Sequence, residues 1–215
     1  MKTALTRRFK LLLVLATVLV VGSFGIGSGS SAFGATSYPP FTDPMLLVNW
    51  NVDASTHIKK LNQDVTVPRG SFVGLIDLKT GSILGLLTLP PAHMSLKALG
   101  LLPLVQADFQ MAPVGPITGQ VDLTKLVVTS TATFNIKITK LTAAGLPANL
   151  VGNSCTTATP ITVTMGGPVS LTSGSTFTGV YTIPPFATCG ALTPALTAAI
   201  SGPGNTFTGT FSPKS

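Results

Sequence analysis

The sequence predicts an all-β fold, an antiparallel two-sheet β-sandwich built from two related halves, with one short helix near the C-terminus. Three observations carry this. Residues Leu126 to Ile138 alternate in character, one phrase occurs twice, and the chain is apolar and sparsely charged. In the alternating stretch, Leu126, Val128, Ala132, Phe134, Ile136 and Ile138 share one parity. Val127, Thr129, Thr131, Thr133, Asn135, Lys137 and Thr139 share the other. A period of two is what a half-buried antiparallel strand requires, whereas a helix would spread the same apolar residues around its circumference. Threonine on the outer parity adds β-propensity without an apolar surface.

The repeated phrase is Gly85-Leu86-Leu87-Thr88-Leu89-Pro90-Pro91, which returns as Gly179-Val180-Tyr181-Thr182-Ile183-Pro184-Pro185, 94 residues later. Each copy reads as a strand stopped by a proline pair, because proline donates no ladder hydrogen bond and pushes the preceding residue away from helix. Thr80-Gly81-Ser82 resembles Ser173-Gly174-Ser175, and residues 112–119 resemble 202–209. Residues 46–123 and 126–211 are therefore expected to be two copies of one β unit within a single domain, 46–213.

Element by element, Val48, Trp50 and Val52 face inward on a first strand opposite Leu47, Asn49, Asn51 and Asp53. Pro68-Arg69-Gly70 reads as a turn, and Ser71–Asp77 and Ser82–Leu89 as a hairpin around Lys79-Thr80-Gly81. Met94–Leu102 fits either a short helix capped by Ser95 or a strand. Val105–Met111, Thr118–Leu123, Ile161–Met165, Val169–Leu171, Thr176–Ile183 and Asn205–Phe211 read as further strands. Thr193 as N-cap, Pro194 at the first helical position and Gly202 as the stop predict a helix over 195–200.

The chain opens with Lys2, Arg7, Arg8 and Lys10, then an apolar run from Leu11 to Val21 interrupted only by Thr17, then small residues. That is the layout of a secretory signal peptide, taken as residues 1–34, with cleavage after Ala32 or Gly34. Residues 35–45 form a lead-in. An uncleaved anchor is the rival reading, weakened by the glycines after Val21. The expectation is a secreted or extracellular protein, free or associated with the cell envelope, that keeps no stable transmembrane anchor after cleavage. Removing the signal leaves nine basic and six acidic residues, net +3, all the acids being aspartates. The basic residues are scattered, so nucleic acid is not an expected partner. Only 9% of residues are charged and the mean hydropathy is +0.53, the reverse of a disordered chain.

Two cysteines in an exported chain point to one disulfide, Cys155–Cys189. No zinc spacing links them to His57 or His93. The sequence holds no G-x-S-x-G elbow, phosphate loop, HExxH or calcium loop, and it contains no glutamate. Asp77 and Asp122 stand beside turns, where aspartate is favoured for bonding its own backbone. Trp50 is expected in the core. No catalytic, cofactor-binding or metal-binding residue is assigned, and no cofactor is expected.

Val48-Asn49-Trp50-Asn51-Val52, Thr56-His57-Ile58-Lys59-Lys60-Leu61, Gly152-Asn153-Ser154-Cys155, Tyr181-Thr182-Ile183-Pro184-Pro185-Phe186, Cys189-Gly190 and Gly202-Pro203-Gly204-Asn205-Thr206 together resemble a family of uncharacterised secreted actinobacterial proteins. The likeness spans about Trp50 to Phe211. It implies an exported, β-rich, single-disulfide protein and supplies no catalytic residue.

The leading functional expectation is a non-enzymatic extracellular or envelope-associated module. Its partner would be apolar or weakly polar: envelope lipid, glycan or protein. The alternatives are a purely structural envelope component and, more weakly, a hydrolase whose site is assembled from distant residues. A concave pocket with polar groups would favour the binder, and a flat threonine-covered wall the structural role. A His57–Asp or His93–Asp pair facing a hydroxyl would favour the enzyme.

Overall fold

The computed structural model describes residues 44–99, 102–144, 148–170 and 172–214. The signal-peptide reading and nearly all of the lead-in fall outside these residues. In chain order the strands are β1 (Met45–Ile58), β2 (Gln63–Asp77), β3 (Ser82–Thr88), β4 (Ala92–Leu99), β5 (Leu102–Pro113), β6 (Ile117–Asp122), β7 (Val127–Ala143), β8 (Thr156–Thr157), β9 (Ile161–Pro168), β10 (Ser175–Ile183), β11 (Phe186–Ala187) and β12 (Gly202–Pro213). A helix, α1 (Thr193–Ile200), precedes β12.

The pairing overturns the sandwich expectation. β7 is hydrogen-bonded along both edges, to β6 through Thr118↔Thr131 and to β9 through Thr131↔Thr164. The ladder then runs β9, β10, β12, β1, β2, β3 and back to β6, antiparallel throughout. Eight strands thus close into a barrel with no free edge. Period-two patterning sets which residues point in, and it does so equally for a sandwich or a barrel. Closure is decided by which edges meet.

Around the barrel the strands follow chain order, four from each half: β1, β2, β3, β6, then β7, β9, β10, β12. In both runs the chain makes an excursion between the third and fourth strands, through β4–β5 in the first and β11–α1 in the second. The repeated phrases fall at the end of the third strand of each run. An up-and-down barrel does not require excursions at matching places.

Side chains fill the interior. Trp50, Phe72, Phe177 and Phe211 form a cluster with ring centroids 5.2–6.2 Å apart. Gly74 and Gly85 are register partners, and a Cβ on them would fall 2.6 and 2.3 Å from the Phe72 ring. Glycine there lets the ring lie against the wall. The remaining interior gaps measure about 20–30 Å³, room for no more than a water molecule. The alternation is apolar inward and largely threonine or charge outward, the reverse of a membrane-spanning barrel.

Three local expectations change, and one left open between helix and strand resolves to strand. Pro68-Arg69-Gly70 is not a turn but a bulge within β2, where the register shifts between Val52↔Gly70 and Ala54↔Val67. A bulge tolerates the proline and aims Arg69 at Asp53, 2.9 Å away. Residues 94–99 are strand, with Met94 and Leu96 buried. Leu126 does not face inward: it is a turn residue at φ +52°, 53% exposed, and β7 begins after it. In α1, Thr193 is the first helical residue and not the cap; its hydroxyl donates to the Gly190 carbonyl.

Candidate functional site: the open mouth of the barrel

The two ends of the barrel are built differently. At one end lie the turn after β1, the β4–β5 hairpin, β8, β11 and α1, all of which cover the interior. Leu196 and Ile200 of α1 are buried there, and the Phe186 N–H donates to Thr197 Oγ1 at 2.9 Å. The Cys155–Cys189 disulfide is formed and buried, next to the β8–β11 pair. Asn205 is fully buried, accepting the Lys59 N–H and donating to the carbonyls of Gly202 and Tyr181. The Tyr181 hydroxyl meets Thr56 Oγ1 at 2.6 Å, and burial raises its pKa, the Thr56 bond opposing part of the rise.

Among the described residues, short connections bound the other end: residues 78–81, 123–126 and the described parts of the β9–β10 connection, with β1 starting and β12 ending beside them. They surround a recess of about 440 Å³ lined by Leu46, Ile76, Leu78, Val121, Leu123, Leu126 and Val169, with Ser170 and Thr172 supplying hydroxyls. Ile76 and Val169 also line the interior gap beneath it, so the aromatic cluster is the floor. The volume lies within the range of ordinary ligand sites, about 300–1,000 Å³.

Backbone bonds hold the rim in shape. The carboxylate of Asp77 accepts the N–H groups of Lys79 and Thr80 at 2.8 and 3.0 Å; that of Asp122 accepts Thr124 and Lys125 at 3.0 and 2.9 Å. The Lys125 and Thr124 N–H groups hold the Asp122 carboxyl below its usual range. Both aspartates therefore take the turn roles read from the sequence. Leu78 N–H donates to the Pro44 carbonyl, Leu126 N–H to Asp122 and Val169 N–H to Leu126.

His57 and His93 do pair with aspartates. His57 Nδ1 is 2.8 Å from Asp64, and His93 Nδ1 is 2.6 Å from Asp108. Both pairs lie on outer strand faces away from the mouth. Thr206 is the register neighbour of His57. Among the described residues no hydroxyl is hydrogen-bonded to either imidazole. Trp50 is buried at 7% exposure, in the floor and not in the mouth lining. Among the described residues no three His, Cys, Asp or Glu side chains are grouped to hold a metal ion, and no helix is long and apolar enough to cross a membrane.

Sequence reasoning missed the mouth because its lining comes from four separate segments. One signal was available: Leu78, Leu123 and Leu126 adjoin turns, where an exposed leucine has no folding role. Comparison with protein-family models, curated proteins and solved structures gives no match.

Proposed function

We propose that the protein is a secreted, non-enzymatic binding module that takes an apolar or weakly polar ligand in the open mouth of its barrel. One observation carries the reading: the described residues form a 440 Å³ apolar recess in a barrel whose other interior gaps hold at most a water each. Seven apolar side chains would strip water from a hydrocarbon chain, and Ser170 and Thr172 would meet a polar end. The resemblance to secreted actinobacterial proteins belongs to this proposal, as does extracellular residence, with which the buried disulfide agrees.

The structural reading has its own support in the outer wall, where Thr131 meets Thr164 and Thr176 meets Thr210 across neighbouring strands. A fluorescent fatty-acid probe separates the two. The mature protein should bind it saturably, and Val169→Trp, which fills the mouth, should weaken binding at least about tenfold. No saturable binding, or binding indifferent to Val169→Trp, would sink the mouth as a ligand site.

A further inference from the structure

We propose that the rim of the mouth docks onto an anionic lipid bilayer, so that the open end faces the membrane. This deepens the reading above by naming the partner, and it stands on the rim, not on the recess. The exposed apolar residues of this end sit at its tips: Leu78 at 40%, Leu123 at 41%, Leu126 at 53%, Val127 at 41% and Met45 at 44%. Turn tips facing only water ordinarily carry Gly, Asn, Asp or Ser.

Leu126 is the sharpest case. Its φ of +52° lies in the left-handed region, which suits glycine or asparagine, and its side chain is more than half exposed. Leucine there costs strain and gains little burial, so neither folding nor packing explains it. Strain of this kind points to a function outside the fold.

The turn backbones are also fit to leave water. A segment entering a lipid interface must satisfy its polar backbone groups internally. The N–H groups of Leu78, Lys79, Thr80 and Gly81 are bonded within the protein, as are those of Thr124, Lys125, Leu126 and Val169. Beside the leucines stand exposed Lys79 and Lys125, whose stems can lie along the interface while the ammonium groups reach lipid phosphates. Asp77 is buried under its turn, and Asp122, 41% exposed, is ion-paired with Lys125 at 3.4 Å, which leaves Lys79 as the charge that projects from these two tips without an ion-pair partner among the described residues. That complementarity selects an anionic surface.

The test is cosedimentation of the mature protein with vesicles of phosphatidylglycerol and phosphatidylcholine, and with phosphatidylcholine alone. Binding should be stronger to the anionic vesicles and fall with salt. Leu126→Asn should leave the thermal midpoint unchanged or higher, yet lower the vesicle partition coefficient at least about tenfold. Lys79→Glu with Lys125→Glu should abolish the preference for anionic vesicles. Val180→Asp, at a residue 65% exposed on the outer wall, should leave partition unchanged. Absence of partition would overturn docking, as would equal loss in Val180→Asp. Concentration-dependent dimers lost in Leu126→Asn without vesicle binding would assign the rim to a second copy and equally overturn it. Saturable fatty-acid binding in solution with no vesicle partition would remove the docking claim and leave the ligand site intact.

Discussion

Among the described residues, one end of this barrel is closed with a helix, a hairpin and a disulfide, and the other is bounded by three short connections around a recess. The same eight strands run to both ends, so the barrel itself does not impose the difference. The closed end uses its excursions to bury Leu196, Ile200, Cys155 and Cys189 almost completely. The open end leaves three leucines exposed on well-bonded turns. On the proposed reading, stability and binding fall to opposite ends, and substitutions should separate them.

The largest effect belongs to the covered end. Phe134 is 7% exposed, packs edge-on against Tyr181 at 6.2 Å and sits where β7 passes the start of β9. Phe134→Ala should cost about 3–5 kcal/mol in denaturant unfolding, as large core truncations do. Its outward neighbour Thr133→Ala should stay within about 0.5 kcal/mol. Fatty-acid binding at the distant mouth should survive in Phe134→Ala wherever the protein is folded. Equal costs at the two positions would contradict the assignment of inner and outer faces.

The disulfide comes next. It spans 34 residues and fastens the segment before β8 to the end of β11, outside the eight barrel strands. In the chain-entropy view it contributes roughly 3–4 kcal/mol. Cys155→Ser with Cys189→Ser should lower the thermal midpoint while the far-ultraviolet β signal persists at room temperature, because the barrel ladder does not pass through it. A double variant unfolded at room temperature would show that the covered end holds the barrel together.

How far the chain was readable follows from what periodicity encodes. Alternation marked the inward face of β1 through Val48, Trp50 and Val52, and that of β7 through Val128, Ala132, Phe134 and Ile138, all of them buried. Turn chemistry identified Asp77 and Asp122, because their bonds are local. Closure was illegible: Thr131 meets Thr164 through a register that neither segment signals alone. The same holds for His57–Asp64 and His93–Asp108, which exist only because two strands align. Leu126 was assigned to the inner face because parity alone cannot see a positive φ. The bulge between Phe109↔Ile138 and Asp108↔Lys140 likewise shifts the inward parity, bringing Leu141 and Ala143 to the buried face.

A smaller effect at the covered end depends on pH. The folded pKa of Tyr181 lies above its ordinary value of 10.0, chiefly through burial. A group raised on folding contributes stability that is complete below its unfolded pKa and is lost as pH climbs through the folded one. Stability should therefore be insensitive to Tyr181 at neutral pH and decline above pH 10.0, more steeply in the wild type than in Tyr181→Phe. At pH 7 that variant should lose about 1 kcal/mol with its hydrogen bond, since Thr56 keeps its bond to the Thr206 carbonyl. Identical alkaline limbs would mean that Tyr181 is not the group responsible.

The smallest stability effect should fall at the mouth, where it is most informative. Leu123 lines the recess, is 41% exposed and lies in the turn whose backbone is held by Asp122. Neither bond of Asp122 to that turn uses the leucine side chain. Leu123→Ser should therefore change unfolding free energy by no more than about 0.5 kcal/mol. The same substitution removes part of the apolar lining from any ligand, so affinity for the fatty-acid probe should fall about fivefold, equivalent to roughly 1 kcal/mol of lost apolar contact. The pattern reverses that of Phe134→Ala, which costs stability and spares binding. If Leu123→Ser destabilised the fold strongly and left probe affinity unchanged, the mouth would be a structural element like the end opposite it, and the contrast between the two ends would disappear.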